Sequence, residues 1–352
     1  MAGGVGARFW PLSRTSRPKQ FIDILGTGET LIQQTFRRFS PICPPENIFV
    51  VTHELYRDLV LEQLPSIIPE HVLCEPVRRN TAPCIAYACH KIARLNPDAC
   101  IVVAPSDHII LKEDAFTETI NTALQAASEN DWLLTLGIMP SRPDTGYGYI
   151  QFDDTTTYPP DGKVRKVKTF TEKPHYDLAV SFLLSGDFLW NSGIFIWSLK
   201  SILKAFREHL TEVDSIFRDG DYFTPTENDF IQQSYTICQS ISIDYGVMEK
   251  ADNVYVIASD FGWSDLGTWG SLYEARTKNE QNNAIVGNNV LVFDTHNSIV
   301  TLPNDRIAVI QGLENYIIVE DNDVLLICQR DNEQHIREYV DAVKLRKGER
   351  FV

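Results

Sequence analysis

Long apolar runs are missing from this 352-residue chain. Stretches such as Ile101 to Ala104 and Val324 to Cys328 are the length of strands, far short of the roughly 20 residues a membrane helix needs. No leader-like apolar segment opens the chain, whose first residues are glycine-rich, so a cytoplasmic protein is expected. Paired cysteines are also missing. The seven present are odd in number, scattered and without a CxxC spacing, which supports neither a disulfide framework nor zinc ligation. Positive charge is scarce: 32 Lys and Arg face 47 Asp and Glu, for a net charge of −15. That balance argues against nucleic acid or an anionic membrane as a partner, and any phosphate must be gripped by a local cluster of cations. What remains is an ordinary globular composition, 43% hydrophobic and 22% charged, enough for one large domain and a small one.

The two commonest phosphate motifs are absent too, yet a phosphate device is present. Ala2-Gly3-Gly4-Val5-Gly6-Ala7-Arg8 is a glycine-rich turn followed by Pro18-Lys19-Gln20-Phe21. No Gly-Lys-Ser/Thr closes it, and the third glycine of the dinucleotide pattern is lacking. Three glycines in four positions let backbone N–H groups share one concavity, to which Arg8 and Lys19 add full charge. A tight turn serving the backbone alone is the simpler reading of two glycines, and the two cations weigh against it. Loops of this kind leave the end of a buried strand, so an apolar strand upstream of Met1 is expected in the natural chain.

Strand-like runs alternate with amphipathic stretches over the first two-thirds of the sequence. Ile48 to Thr52, Val72 to Cys74, Ala99 to Ala104 and Trp132 to Gly137 read as strands; His53 to Leu64, a segment capped by Thr81, and Ala115 to Glu129 read as helices. The alternation predicts an α/β domain over residues 1–277, Rossmann-like, with a mostly parallel mixed sheet covered by helices on both faces. Tyr147 to Lys173 reads as hairpins around a turn at Pro159 to Gly162, forming a lid-like insertion. Residues 285–352 change character: five short strands recur every eight to ten residues or so and suit a small coiled sheet or β-helix. A final helix over Glu333 to Leu345 carries Ile336, Val340 and Val343 on one face, from which a homodimer is expected.

Polar residues cluster where such sheets place ligands, just past strand ends. Asp107 follows the strand ending at Ala104, and Asp265 lies in Gly262-Trp263-Ser264-Asp265-Leu266-Gly267. Each could be a helix cap; together with a phosphate loop they form the inventory for Mg²⁺, which takes few carboxylates plus substrate phosphates. Glu172 and Lys173 share a side only if their strand is ending, and Lys173 could hold a second anion or merely pair on the surface. Trp190-Asn191-Ser192-Gly193 sets an amide beside an aromatic, a combination suited to sugar hydroxyls.

These segments, with Trp10 to Arg14, Glu75-Pro76, Arg79 to Pro83, Pro105 to His108, Thr145 to Ile150, Phe170 to Pro174 and Trp263 to Trp269, resemble in order the mannose-1-phosphate guanylyltransferases over nearly the whole chain. The resemblance implies a nucleotidyltransferase domain followed by a left-handed β-helix-like module, and the reaction of GTP with mannose 1-phosphate to give GDP-mannose and pyrophosphate. It implies Arg8, Lys19, Asp107, Lys173 and Asp265 as catalytic residues, with Mg²⁺ between Asp107 and Asp265. GTP would be bound by Gly3, Gly4, Gly6, Arg8, Lys19, Glu75, Asn80 and Ser106. Glu75, supported by Asn80, is the candidate to accept the two N–H groups on one edge of guanine, with a solvated Glu before Pro76 as the simpler reading. Mannose 1-phosphate would meet Gly146, Glu172, Lys173 and Asn191. The cupin-like isomerase domain of longer relatives has no counterpart, so no isomerase activity is expected. Two further readings stay open: a non-catalytic sugar-nucleotide sensor, and an enzyme for another base or another sugar 1-phosphate.

Overall fold

The computed structural model describes residues 1–4, 6–158 and 162–352, so Pro159, Pro160 and Asp161 of the expected turn lie outside the described residues. The chain divides into two compact units. The first comprises residues 1–3, 36–105 and 110–263; the second gathers 4–35, 106–109 and 264–352.

A six-stranded sheet organises the first unit, in the order Cys100–Val103, Phe188–Ser198, Leu133–Ile138, Val254–Ser259, Val164–Glu172, Gly148–Tyr158. It is mixed, but the expected parallel majority is not found in it: among the described residues only Leu133–Ile138 and Val254–Ser259 run parallel. Parallel neighbours need a long crossover, whereas Gly148–Tyr158 and Val164–Glu172 are joined by a hairpin-length link, and Phe188–Ser198 runs against all three of its neighbours. Those hairpin strands are sheet members and not a lid, since Ile150, Phe152 and Val164 are buried. Val50–His53 and Val72–Glu75 form a separate parallel pair. In place of a full first strand, Ala2 makes a parallel bridge to Thr52, its N–H donating to the Val51 carbonyl at 2.7 Å, while the Met1 amino group donates to the Ala104 carbonyl at 2.8 Å.

Alternate strand residues serve two apolar layers, as a sheet covered on both faces requires. Leu133, Phe195 and Trp197 pack with Ala82, Ile85 and Ala86 of helix Thr81–Ala93 and with Ile202 and Phe206 of helix Leu199–His209. Leu134, Leu136, Ile194 and Ile196 pack with Phe116, Ile120 and Ala123 of helix Glu113–Glu129. Gly137 is where the sheet tolerates no side chain, because a Cβ there would lie 2.6 Å from Leu189 Cδ1 and 2.8 Å from Val256 Cγ2. Gly137→Ala is therefore expected to cost about 1–3 kcal/mol by overpacking. An unchanged urea midpoint would contradict that.

In the second unit, the segment that carries the glycine loop packs onto the C-terminal strands. Phe9, Trp10, Ile22, Ile24 and Leu31 share a core with Leu266, Trp269, Ile299, Ile317, Val319 and Ile336. Phe9 and Trp269 meet at 5.3 Å between ring centroids, and Trp10 Nε1 donates to the Phe351 carbonyl at 2.7 Å. Buried Arg276 ties the two parts, donating to Thr301 Oγ1 at 2.9 Å and to the Ile24 carbonyl. Two parallel ladders coil with the same residue offset, pairing Ile299 with Ile317 and Val290 with Ala308; Val324–Gln329 closes the coil antiparallel to Tyr316–Asp321. The last helix spans Ile336–Lys347. Ile336, Val340 and Val343 pack into this unit's own core, so the face from which a homodimer was expected is occupied within the unit. No helix among the described residues is long and apolar enough to cross a membrane.

Candidate active site

Gly6 sits at φ +69, in the left-handed region, and a Cβ on it would fall 2.6 Å from the Cβ of Lys19. Only glycine lets the loop close over that lysine. Lys19 is buried, and its ammonium donates to Asp107 Oδ2 at 2.9 Å and to the carbonyls of Asp265 and Leu266 at 2.8 and 3.1 Å. Both residues expected to hold a metal are thus brought to one cation, Asp107 by its carboxylate and Asp265 by its main chain. Neither is a helix cap: Thr268 caps helix Trp269–Ala275, and Asp265 Oδ1 accepts the Gly267 N–H at 2.9 Å. Burial opposes ionisation of Asp107, but Lys19 and His108 outweigh it and hold the carboxyl below its ordinary range. Arg8 reaches the Gly267 carbonyl at 3.4 Å, while its buried Nε and the buried Ser106 Oγ have no hydrogen-bond partner among the described residues. Unmet buried donors of this kind are able to receive an anion.

The second group of residues belongs to the first unit. Glu75 ends strand Val72–Glu75 and is buried, which pushes its carboxyl up to about 7 although Tyr235, the N-terminal amine and Arg78 each pull it down. Its Oε1 has no hydrogen-bond partner among the described residues. A Cβ on Gly3 would come within 3.7 Å of Oε2, so the loop's first glycine borders this carboxylate. Asn80 holds φ +69 and caps helix Thr81–Ala93, its Oδ1 accepting the Thr81 N–H at 2.9 Å. The cap expected of Thr81 is therefore made one residue earlier; Thr81 Oγ1 instead accepts the Ile243 N–H at 2.8 Å.

A third group lies on the sheet of that same unit. The strand ends at Glu172, and Lys173 at φ +46 turns its ammonium back to Glu172 at 2.9 Å, which settles how both charges share one side. A Cβ on Gly148 would collide with the Glu172 carboxylate, and Asn191 packs next to them. Gly146 already donates its N–H to Asp144 Oδ1 at 2.8 Å, so its backbone has only a carbonyl to offer. Two members went unnoticed in the sequence. Asn191 Nδ2 donates to Asp244 Oδ1 at 2.7 Å, and Thr135 Oγ1 stands 3.3 Å from Asn191 Oδ1. Neither carries a local signal, since one is an acid among many and the other a strand threonine.

The second unit offers a buried ammonium on an aspartate carboxylate beside a glycine turn with unmet donors, and the first unit offers an acid-and-amide group suited to hydroxyls. The chain belongs to the nucleotidyl transferase family, whose model matches residues 1–282, and a mannose-phosphate-isomerase/GMP-like β-helix domain matches residues 287–343. Within that family it groups with the mannose-1-phosphate guanylyltransferases. A protein of that name from Sinorhizobium fredii is 38% identical over 96% of this chain, and mannose-1-phosphate guanylyltransferase 2 of Escherichia coli O157:H7 is 34% identical over all of it. This chain spans 65% of the first relative's length and 74% of the second's. A crystal structure from Thermus thermophilus, described as a "mannose-1-phosphate geranyltransferase", superposes with a TM-score of 0.86 at 30% identity, covering 98% of both chains.

Proposed function

We propose that the protein transfers GMP from GTP to mannose 1-phosphate, releasing pyrophosphate and GDP-mannose. The convergence of Asp107 and the Asp265–Leu266 carbonyls on buried Lys19, under Gly6, carries this reading. A phosphate oxygen of the sugar attacks the α-phosphorus, the new P–O bond forms, and the bond to the β-phosphate oxygen breaks in line. Both reactants are polyanions, so the protein's work is positioning and charge compensation. Gly3, Gly4, Gly6 and Arg8 receive the triphosphate, the unmet Arg8 Nε supplying one donor. Lys19 exchanges its present acceptors for the α-phosphate. Ser106 offers its unmet hydroxyl to the nucleotide. Glu75 takes the two guanine N–H donors, with the Asn80 amide nitrogen in support. Lys173 holds the attacking phosphate, while Glu172, Asn191 and the Gly146 carbonyl meet the sugar hydroxyls.

Magnesium fits the oxygens at Lys19: the Asp107 carboxylate and the Asp265 and Leu266 carbonyls are hard donors, too few to cage a metal without phosphate oxygens. Asp107 and Asp265 would hold it, and bound there it would neutralise charge on the transferring phosphates. The attacking phosphate is already ionised, so His108 has no proton to remove.

Pyrophosphate release measured with GTP, ATP, UTP and dTTP against mannose and glucose 1-phosphates tests the reading. GTP with mannose 1-phosphate should exceed every other pair by about tenfold or more, the selectivity expected where buried groups would be left unpaired by the wrong base. Turnover with no pair would instead favour the sensor.

A further inference from the structure

Asp244 has no part in the roles given above, yet its setting is unusual. It opens a π-helical turn, Asp244–Met248, in which the Glu249 N–H reaches back to the Asp244 carbonyl at 2.9 Å. Such turns are rare and concentrate at functional sites. This one packs on strand Val164–Glu172, which ends at Glu172. The Asp244 carboxylate reaches across to Asn191.

That bond decides what Asn191 can do. The oxygen of the Asn191 amide accepts the Gly193 N–H at 3.1 Å and lies 3.3 Å from Thr135 Oγ1, so it faces the sheet's donors. The nitrogen then faces Asp244 Oδ1 at 2.7 Å, which uses one of its two N–H groups. One N–H of Asn191 remains for a ligand. Without Asp244 the amide would lose the partner on its nitrogen side and could rotate, presenting an acceptor where a donor is needed. Burial and the nearby Glu172 both raise the Asp244 carboxyl above its ordinary range, so the group stays in place at an electrostatic cost that a passive surface acid would not carry.

We propose that Asp244 is a positioning residue of the sugar subsite: it locks the Asn191 amide with one N–H directed to a hydroxyl of the hexose 1-phosphate. The inference rests on the reading of Glu172, Lys173 and Asn191 as the sugar group. It makes Asp244 a determinant of sugar affinity and leaves the nucleotide untouched.

Steady-state kinetics of Asp244→Ala, Asp244→Asn, Asn191→Ala and the Asn191→Ala/Asp244→Ala double variant provide the test, with thermal melting as the folding control. Asp244→Ala should raise KM for mannose 1-phosphate about tenfold while KM for GTP stays within about twofold, the cost of one misdirected hydrogen bond. Asp244→Asn should stay within about threefold of the parent, because its amide oxygen still accepts the Asn191 N–H. The double variant should be no worse than Asn191→Ala, since residues acting as a unit are not additive. An unchanged sugar KM, equal rises in both KM values, or additive losses would each overturn the assignment. If the parent protein turns over no substrate pair, the proposed reaction fails by itself. Calorimetric binding of mannose 1-phosphate to parent and Asp244→Ala then decides the positioning role alone: about tenfold weaker binding by the variant upholds it, and equal or absent binding overturns it.

Discussion

Lys19→Met should lower kcat/KM for GTP by roughly 10²–10³-fold, the loss seen when a preorganised donor to a developing charge is removed. The same change should tighten Mn²⁺ binding to the nucleotide-free protein. In the structure the ammonium occupies Asp107 Oδ2 and two main-chain carbonyls, so any divalent cation approaching Asp107 must displace it. Methionine keeps the unbranched stem of the side chain, one atom shorter, and removes the competing ammonium. Stability should fall by about 1–3 kcal/mol, below the usual cost of breaking a fully buried pair because the Asp107 side chain is 30% exposed. Asp107 is held below its ordinary range, so the stability due to this pair is present above the unfolded-state pKa and lost as pH falls through the folded one. Manganese titration followed by electron paramagnetic resonance reads the cation arm, and steady-state kinetics the other. Metal affinity no greater than the parent's would show that Lys19 does not guard the Asp107 carboxylate.

Glu75→Gln should raise KM for GTP by about 10–100-fold, because a carboxylate accepting two adjacent N–H groups is replaced by an amide whose NH₂ opposes one of them. The pH dependence carries more information. With its pKa near 7, the parent's Glu75 is half protonated at neutrality and must ionise to accept both donors. KM for GTP should therefore rise as pH falls below about 7 in the parent and stay flat in the variant. Stability moves the opposite way. Burial disfavours the ionised form, so its cost to folding is absent below the unfolded-state value, grows between 4.5 and about 7, and is complete above. The displacement corresponds to about 3 kcal/mol at most. Glu75→Gln should thus melt higher than the parent at pH 8 and lose that advantage near pH 4. Equal GTP kinetics with a higher melting temperature would make Glu75 a strained core acid with no part in reading the base.

Gly6, Lys19, Asp107 and Asp265 were legible in the sequence because each stands beside a glycine turn or just past an apolar run, where backbone geometry restricts what can be useful. Glu172 and Asn191 were legible for the same reason. Asp244 was not: in a chain with 47 acids, one flanked by Ile243 and Tyr245 has no pattern to mark it, and its role depends on Asn191, 53 positions away. The direction of strand Phe188–Ser198 was equally hidden, since alternating apolar residues fix which faces are buried but not which way the chain runs. The surface that covers the last helix was hidden for a related reason. An apolar helix face announces burial without naming the surface that buries it, and here that surface is the core containing Ile317 and Val319.

The join between Trp10 and Phe351 bears on how the protein is made. Partners 341 positions apart cannot meet until the whole stretch between them has been made, and the core under the glycine loop needs Leu266, Trp269 and Ile336 as well. The glycine loop has no surface on which to set until Leu266 and the strands that follow it have been made. Residues made early in this unit are therefore among the last to find their native contacts, and the loop takes its shape late in folding.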